Sequence, residues 1–205
     1  MQVDEALIRQ AAGGDQTAFA ALVTACQKPV YNLALRMTGS PDDALDISQE
    51  VFLRAWRGLS GYRYDAAFST WLYRLTGNVC IDFLRRRRRE KTIPLYYTDE
   101  ENEEQELSLP SSAPGPEDET LLRLEQDSIA EALSRLEPEY RQALTLRVIN
   151  GLRYAEIAAI MNIPEGTVKS RIARARETMR RLLKKNRNLS SAPSSKKKKG
   201  GNGTK

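Results

Sequence analysis

The chain has 205 residues, 40% of them apolar and 29% charged, which suits one or two small packed bodies plus some chain outside any core. It has no histidine and only two cysteines, so histidine-based acid–base or metal chemistry and a disulfide framework are excluded. Its formal charge of +5 is unevenly spread: residues 169–205 carry fourteen Lys or Arg against one Glu, leaving the remainder net acidic. That asymmetry points to a polyanion partner at the C-terminal end.

The start, MQVDEALIRQ, lacks the pattern of a signal peptide. The longest uncharged run, QTAFAALVTACQ, is twelve residues and too short to span a bilayer. A soluble, intracellular protein is expected. Cys26 and Cys80 each sit within an apolar pattern and read as buried thiols.

An N-terminal helical body is expected over residues 1–90. Asp15 can cap a long helix that ends at Gly39, with Phe19, Leu22, Val23, Val30, Leu33 and Met37 near a 3.6 period and a kink at Pro29. The next helix has Ser40 as N-cap, Pro41 at its first position and Asp43 in its first turn. Ala44, Ile47, Val51 and Ala55 form its inner stripe. Residues 58–67 read as a loop. A further helix opens with Phe68 as staple ahead of a Ser69 cap, and continues through Leu72, Leu75, Val79 and Phe83 into five arginines.

Residues 91–119 break the pattern. TDEENEEQE places six carboxylates in nine residues, and LPSSAPGPED follows with three prolines and a glycine. Such a chain buries too little to offset the entropy of ordering, and predicts a flexible linker. The second body spans 120–187. Leu121, Leu124, Ile129, Leu133 and Leu136 share one side of its first helix. Pro138 starts the next helix, which packs Tyr140, Leu144 and Val148 and stops at Gly151. The Lys-rich tail, 188–205, has the low complexity of disordered chain. The fold class is therefore all-α: two small helical domains on a flexible acidic, Pro-rich linker, the second a four-helix domain.

The end of the second body carries the sharpest signal. A short helix near 154–161 presents Ile157, Ala158 and Met161 inward. Asn162 ends it in a left-handed turn, Ile163 plugs the corner, and Pro164 with Glu165 begins a second helix. At 100° per residue Val168, Ile172, Ala175, Met179 and Leu183 form one docking stripe. Ser170, Ala173, Arg174, Glu177 and Arg181 lie on the far side, with Lys169, Arg171, Arg176 and Arg180 on the flanks. This is a helix-turn-helix whose second helix suits a DNA major groove. Glu165 can accept from a cytosine amino group; Lys169, Ser170 and Arg174 can meet bases or phosphates, while Arg171 and Arg176 suit phosphates.

The first body has its own nucleic-acid signal. Tyr62, Tyr64, Phe68 and Trp71 lie in and beside a polar loop, with Arg85–Arg89 further on. Aromatic faces beside positive charge suit unpaired bases, although Phe68 and Trp71 also fit a core role.

With both blocks in view the chain resembles the extracytoplasmic function (ECF) sigma factors of bacterial RNA polymerase, the two-domain type of the sigma-70 family. The resemblance rests on DDALDISQEVFLRAWRGL with FSTWLYRLTGNVCIDFLRRRRR, and on ALSRLEPEYRQALTLRVINGLRYAEIAAIMNIPEGTVKSRIARARETMRRLL. It implies that the helix over 41–57 binds the clamp helices of the polymerase β′ subunit through Asp43, Asp46, Gln49, Glu50 and Arg54. It implies that Tyr62, Tyr64, Phe68, Ser69, Thr70 and Trp71 open the −10 element and hold its bases, with Asn78, Arg85, Arg86 and Arg88 along the strand. It implies −35 reading by residues 165–176, among them Glu165, Thr167, Lys169, Ser170, Ala173 and Arg174. Core RNA polymerase (β′ and β subunits), promoter DNA and an anti-sigma factor, often membrane-bound, are the implied partners. No cofactor or metal is implied.

Two other classes fit less well. A one-component helix-turn-helix regulator, not a polymerase subunit, would leave the first body without a task. An enzyme would need chemistry the chain lacks: the cysteines are isolated, no glycine-rich phosphate loop occurs, and the Asp42, Asp43 and Asp46 group is better explained by a helix start than by Mg²⁺.

Overall fold

The computed structural model describes residues 3–92 and 128–190. The linker expected over 91–119 lies outside the described residues except for its first two positions, as do Leu121, Leu124 and the tail from residue 191 on.

Four helices build the first body: α1 (Glu5–Ala12), α2 (Gln16–Thr38), α3 (Pro41–Gly58) and α4 (Phe68–Thr92). Asp4 caps α1 by accepting from the Ala6 N–H at 3.0 Å. Asp15 caps α2 by accepting from Thr17 and Ala18 at 2.8 and 3.0 Å. Gly39 ends α2 at φ 76°, the left-handed position that a residue with a Cβ occupies only under strain. α2 stays helical through Pro29, which lacks the N–H for an i−4 bond. Ser40 and Pro41 start α3 as its sequence predicts, with the Ser40 hydroxyl accepting from the Asp43 N–H at 3.3 Å.

The start of α4 differs from expectation. It begins at Phe68, where the carbonyl of Ala67 accepts from Thr70 and Trp71. Ser69 is therefore inside the first turn and not its cap. At the other end α4 runs to Thr92, just past the run of arginines.

In the second body α5 (residues 128–134) is followed by α6 (Pro138–Val148), α7 (Tyr154–Met161) and α8 (Glu165–Ser190). Leu133, Leu136, Leu144, Leu146, Ile157, Ile160, Val168, Ile172 and Ala175 form its core. Two expected core residues are outside it: Ile129 is 46% and Val148 60% exposed. Asn162 takes φ 53°, ψ 49° at the end of α7, and its N–H returns to Ala158 O, so the helix-turn-helix corner forms as its sequence predicts. α8 continues three residues past 187, the expected end of the body.

The two bodies pack against each other, with α6 and α7 on α4 and α6 on α2. Buried Arg141 is the joint. Its guanidinium donates to Met37 O in the first body and to Ser134 O and Leu136 O in the second. Burial holds its pKa below the ordinary arginine value, offset in part by Glu137. Asn150 donates to the Tyr73 hydroxyl at 3.0 Å, and Arg74 to Ala159 O at 2.5 Å. At Gly77 the backbone comes so near the Gln142 side chain that a Cβ would lie 2.9 Å from Gln142 Cδ.

Candidate nucleic-acid interface

A 3₁₀ turn (Leu59–Gly61) and the loop to Phe68 set four aromatic rings side by side. Tyr62 is central: its ring centroid is 4.7 Å from Tyr64, 5.9 Å from Phe68 and 5.6 Å from Trp71. Its hydroxyl donates to Ala66 O, which ties the loop back on itself. Burial, with the nearby Tyr64, Glu5 and Asp65, pushes its phenol pKa up. Tyr64 adopts φ 59° and is 42% exposed, a conformation bulky side chains rarely take. Beside these rings opens a cavity of about 360 Å³, lined by Tyr62, Tyr64, Phe68 and Ser69 and closed on one side by Val3, Glu5 and Ile8 of the N-terminal segment.

The expected −10 residues thus fall into two groups. Tyr62, Tyr64, Phe68, Ser69 and Trp71 come together; Phe68 is buried as the floor, Trp71 is half-buried and Thr70 stands beside them in the first turn. Asn78 and Arg85 are elsewhere. They lie at least seven residues beyond Trp71 along α4, about 10 Å by helical rise, and line a polar cleft of about 460 Å³ with Arg171 of the second body. Arg85 pairs with Glu139 at 3.0 Å and Arg88 with Glu137 at 3.6 Å, both across the joint between bodies. Arg86 is exposed.

α8 presents its expected outer face. Lys169, Ser170, Ala173, Arg174 and Arg176 are exposed, while Val168, Ile172 and Ala175 are buried. Lys169 pairs with Glu165 at 2.8 Å, and that hydrogen bond raises its pKa. The Ser170 hydroxyl donates back to Thr167 O at 2.9 Å, and Arg174 reaches the Tyr140 hydroxyl at 3.4 Å. Arg171, on the flank, is half-buried.

On α3, Asp46 and Gln49 are exposed, Glu50 pairs with Arg54 at 2.6 Å, and Asp43 is held by Arg87 at 2.5 Å. Beside Gln49 runs an apolar groove of about 550 Å³ lined by Phe19, Val23, Phe52, Leu53 and Trp56. Sequence reading passed over this groove. Its signal was available: Phe52, Leu53 and Trp56 fall off the Ala44, Ile47, Val51, Ala55 stripe, and Leu53 is left 52% exposed.

Residues 22–90 match the Sigma-70 region 2 family and residues 126–179 match Sigma-70, region 4. The chain is 38% identical over 182 residues to the ECF RNA polymerase sigma factor SigW of Bacillus subtilis (strain 168), covering 86% of this chain and 95% of that one. The chain belongs to the ECF sigma factors. It is also 38% identical over 177 residues to the ECF RNA polymerase sigma-E factor of Escherichia coli (strain K12), covering 86% and 92%. Among solved structures, CnrH in complex with the cytosolic domain of CnrY superposes with a TM-score of 0.64 at 26% identity, over 89% of this chain and 98% of that one. The sigma factor RpoE of Bartonella quintana, in complex with the anti-sigma factor NepR, shares the fold with a TM-score of 0.63 at 24% identity, over 81% and 96%. As an ECF sigma factor the chain acts in promoter recognition by RNA polymerase, and the region 2 match gives the first body the task that a one-component regulator would leave vacant. Among the described residues no helix is long and apolar enough to cross a membrane.

Proposed function

We propose that the first body, 1–90, binds core polymerase and captures the −10 element as a single strand, while the second, 120–187, reads the −35 element as duplex. The observation that carries this reading is the cluster of four rings, three of them lining an open cavity, in a chain whose α8 keeps a basic outer face. Stackable faces suit unpaired bases, and an exposed basic helix suits a phosphate-lined groove. Tyr62, Tyr64 and Trp71 hold bases over the Phe68 floor. On α8, Lys169, Ser170 and Arg174 approach base edges, with Glu165 steering Lys169, and Arg176 meets phosphate. Asn78, Arg85, Arg86 and Arg88 follow the strand, and with Arg171 they reach DNA once the cleft between bodies opens. Asp46, Gln49, Glu50 and Arg54 dock on the β′ clamp helices, and the neighbouring groove receives an apolar side chain from that partner.

The chain makes no bond itself; it supplies initiation specificity in the cytoplasm, and an anti-sigma factor restrains it. In vitro transcription with purified core enzyme, mapped over genomic DNA, tests this. Defined start sites are expected, and their absence overturns it. On a promoter found this way, Tyr64→Ala with Trp71→Ala leaves polymerase at the promoter but abolishes permanganate reactivity of the −10 thymines.

A further inference from the structure

The cavity beside Tyr62 has one wall that the region 2 match, which begins at residue 22, does not cover. That wall is α1. Its position is fixed twice, by the Asp4 cap and by Ile8 and Ala11, which are 4% and 2% exposed. Glu5, in its first turn, therefore stands at the rim of the cavity, its side chain 62% exposed. One of its oxygens, Oε1, accepts from Arg9 Nη2 at 2.6 Å. The same Arg9 guanidinium lies 5.7 Å from the Tyr64 ring centroid, so one arginine contacts both the carboxylate and the ring of a residue whose backbone is strained.

The cavity's polar groups are few. Among side chains the Tyr62 hydroxyl is spent on Ala66 O, which leaves the Tyr64 and Ser69 hydroxyls and the second oxygen of Glu5, the one charged group in the lining. The volume of about 360 Å³ lies at the small end of small-ligand sites, and its walls are mostly aromatic and aliphatic. An ionised carboxylate is purely an acceptor, so it rewards a base that turns N–H groups toward it. Adenine, cytosine and guanine each carry an exocyclic amino group. Thymine has none, and its one ring N–H sits between two carbonyl oxygens that repel the carboxylate.

We propose that Glu5 is a base-selecting residue: its carboxylate accepts from the exocyclic amino group of an unpaired base held in the Tyr62–Tyr64 cavity and disfavours thymine there. Arg9 is a positioning residue that holds Glu5 and Tyr64. This rests on the reading of the cavity as a single-strand site and adds a selecting residue from outside the matched region.

The test uses the full chain and labelled dC10, dT10 and dA10 strands, read by fluorescence anisotropy. Cytosine and thymine strands are the decisive pair, because both are pyrimidines and differ at the group that Glu5 would meet. The wild type should bind dC10 roughly tenfold tighter than dT10, the discrimination one good base contact provides. Glu5→Gln, whose amide can both donate and accept, should bring the two strands to near-equal affinity, with circular dichroism confirming unchanged helix. Tyr64→Ala should weaken all three strands alike. A dC10 preference that survives Glu5→Gln, or its absence in the wild type, overturns the role of Glu5; if Tyr64→Ala still weakens every strand, the single-strand reading stands without it. Failure of the wild type to bind any strand, or indifference of all strands to Tyr64→Ala, overturns both.

Discussion

Burial pushes the Cys80 thiol up to about 12 and the Cys26 thiol up to about 11. In an unfolded chain a thiol titrates near ~8.5, so above that pH the unfolded state loses protons that the folded state keeps. The contribution is complete below the unfolded value and is lost as pH rises toward the folded one, at no more than ~1.4 kcal/mol per pH unit for each thiol. Urea midpoints of the wild type should therefore fall between pH 8 and 10.5. Cys80→Ala should start lower at pH 7, because it leaves a small void, yet fall less steeply. Equal slopes would mean that Cys80 ionises freely in the folded chain. At the opposite extreme of exposure is Arg174, reaching no further than the Tyr140 hydroxyl at 3.4 Å. As a base contact, Arg174→Ala should weaken −35 duplex binding by the holoenzyme by about 1–3 kcal/mol and relax its preference at one base pair. An equal loss on every duplex sequence would make it a phosphate contact instead.

Helix by helix, legibility follows how local the deciding physics is. The Ser40–Pro41 start of α3 and the Asn162 corner were readable because a cap is a contact between near neighbours in sequence. The α4 start was misplaced by two residues because Ala67, not Ser69, supplies the capping carbonyl, without any side-chain signature. Val148 and Ile129 kept the helical period but stand at positions that no helix among the described residues covers, and period alone does not reveal where a partner ends. The aromatic cluster was legible as residues, but its cavity was not, since Val3, Glu5 and Ile8 approach it from more than fifty positions away. The corner gives a prediction at this scale. Asn162→Ala forces a Cβ without a compensating amide into the left-handed region and should cost about 1–2 kcal/mol in thermal unfolding. Asn162→Gly should hold or raise stability. Equal melting of the alanine and glycine variants would show that the turn does not need that conformation.

The joint between the two bodies was the least legible feature, and it governs the molecule as a whole. Arg141, Gln142 and Asn150 read in sequence as ordinary polar positions, yet the first two are 5% and 3% exposed. Through this joint Asn78 and Arg85 on α4 face Arg171 on α8 across one cleft, so on the proposed reading these three side chains meet DNA only once the bodies part. Gly77 is the point to press. It lies within α4, where alanine favours helix by about 1 kcal/mol over glycine, so Gly77→Ala should strengthen α4 itself. The added methyl group, however, would overlap the Gln142 amide, which is almost fully buried at the joint and can move away only by turning into the polar cleft that it borders. Gly77→Ala should therefore separate the bodies while each keeps its helix content, raising the radius of gyration in small-angle scattering at constant circular dichroism. Shortening the obstacle should reverse this: Gly77→Ala with Gln142→Ala gives back the space and should restore the wild-type radius. An unchanged radius in the single variant, or no recovery in the double, would mean that the joint is held by the Arg141 and Tyr73–Asn150 hydrogen bonds and not by close fit at Gly77.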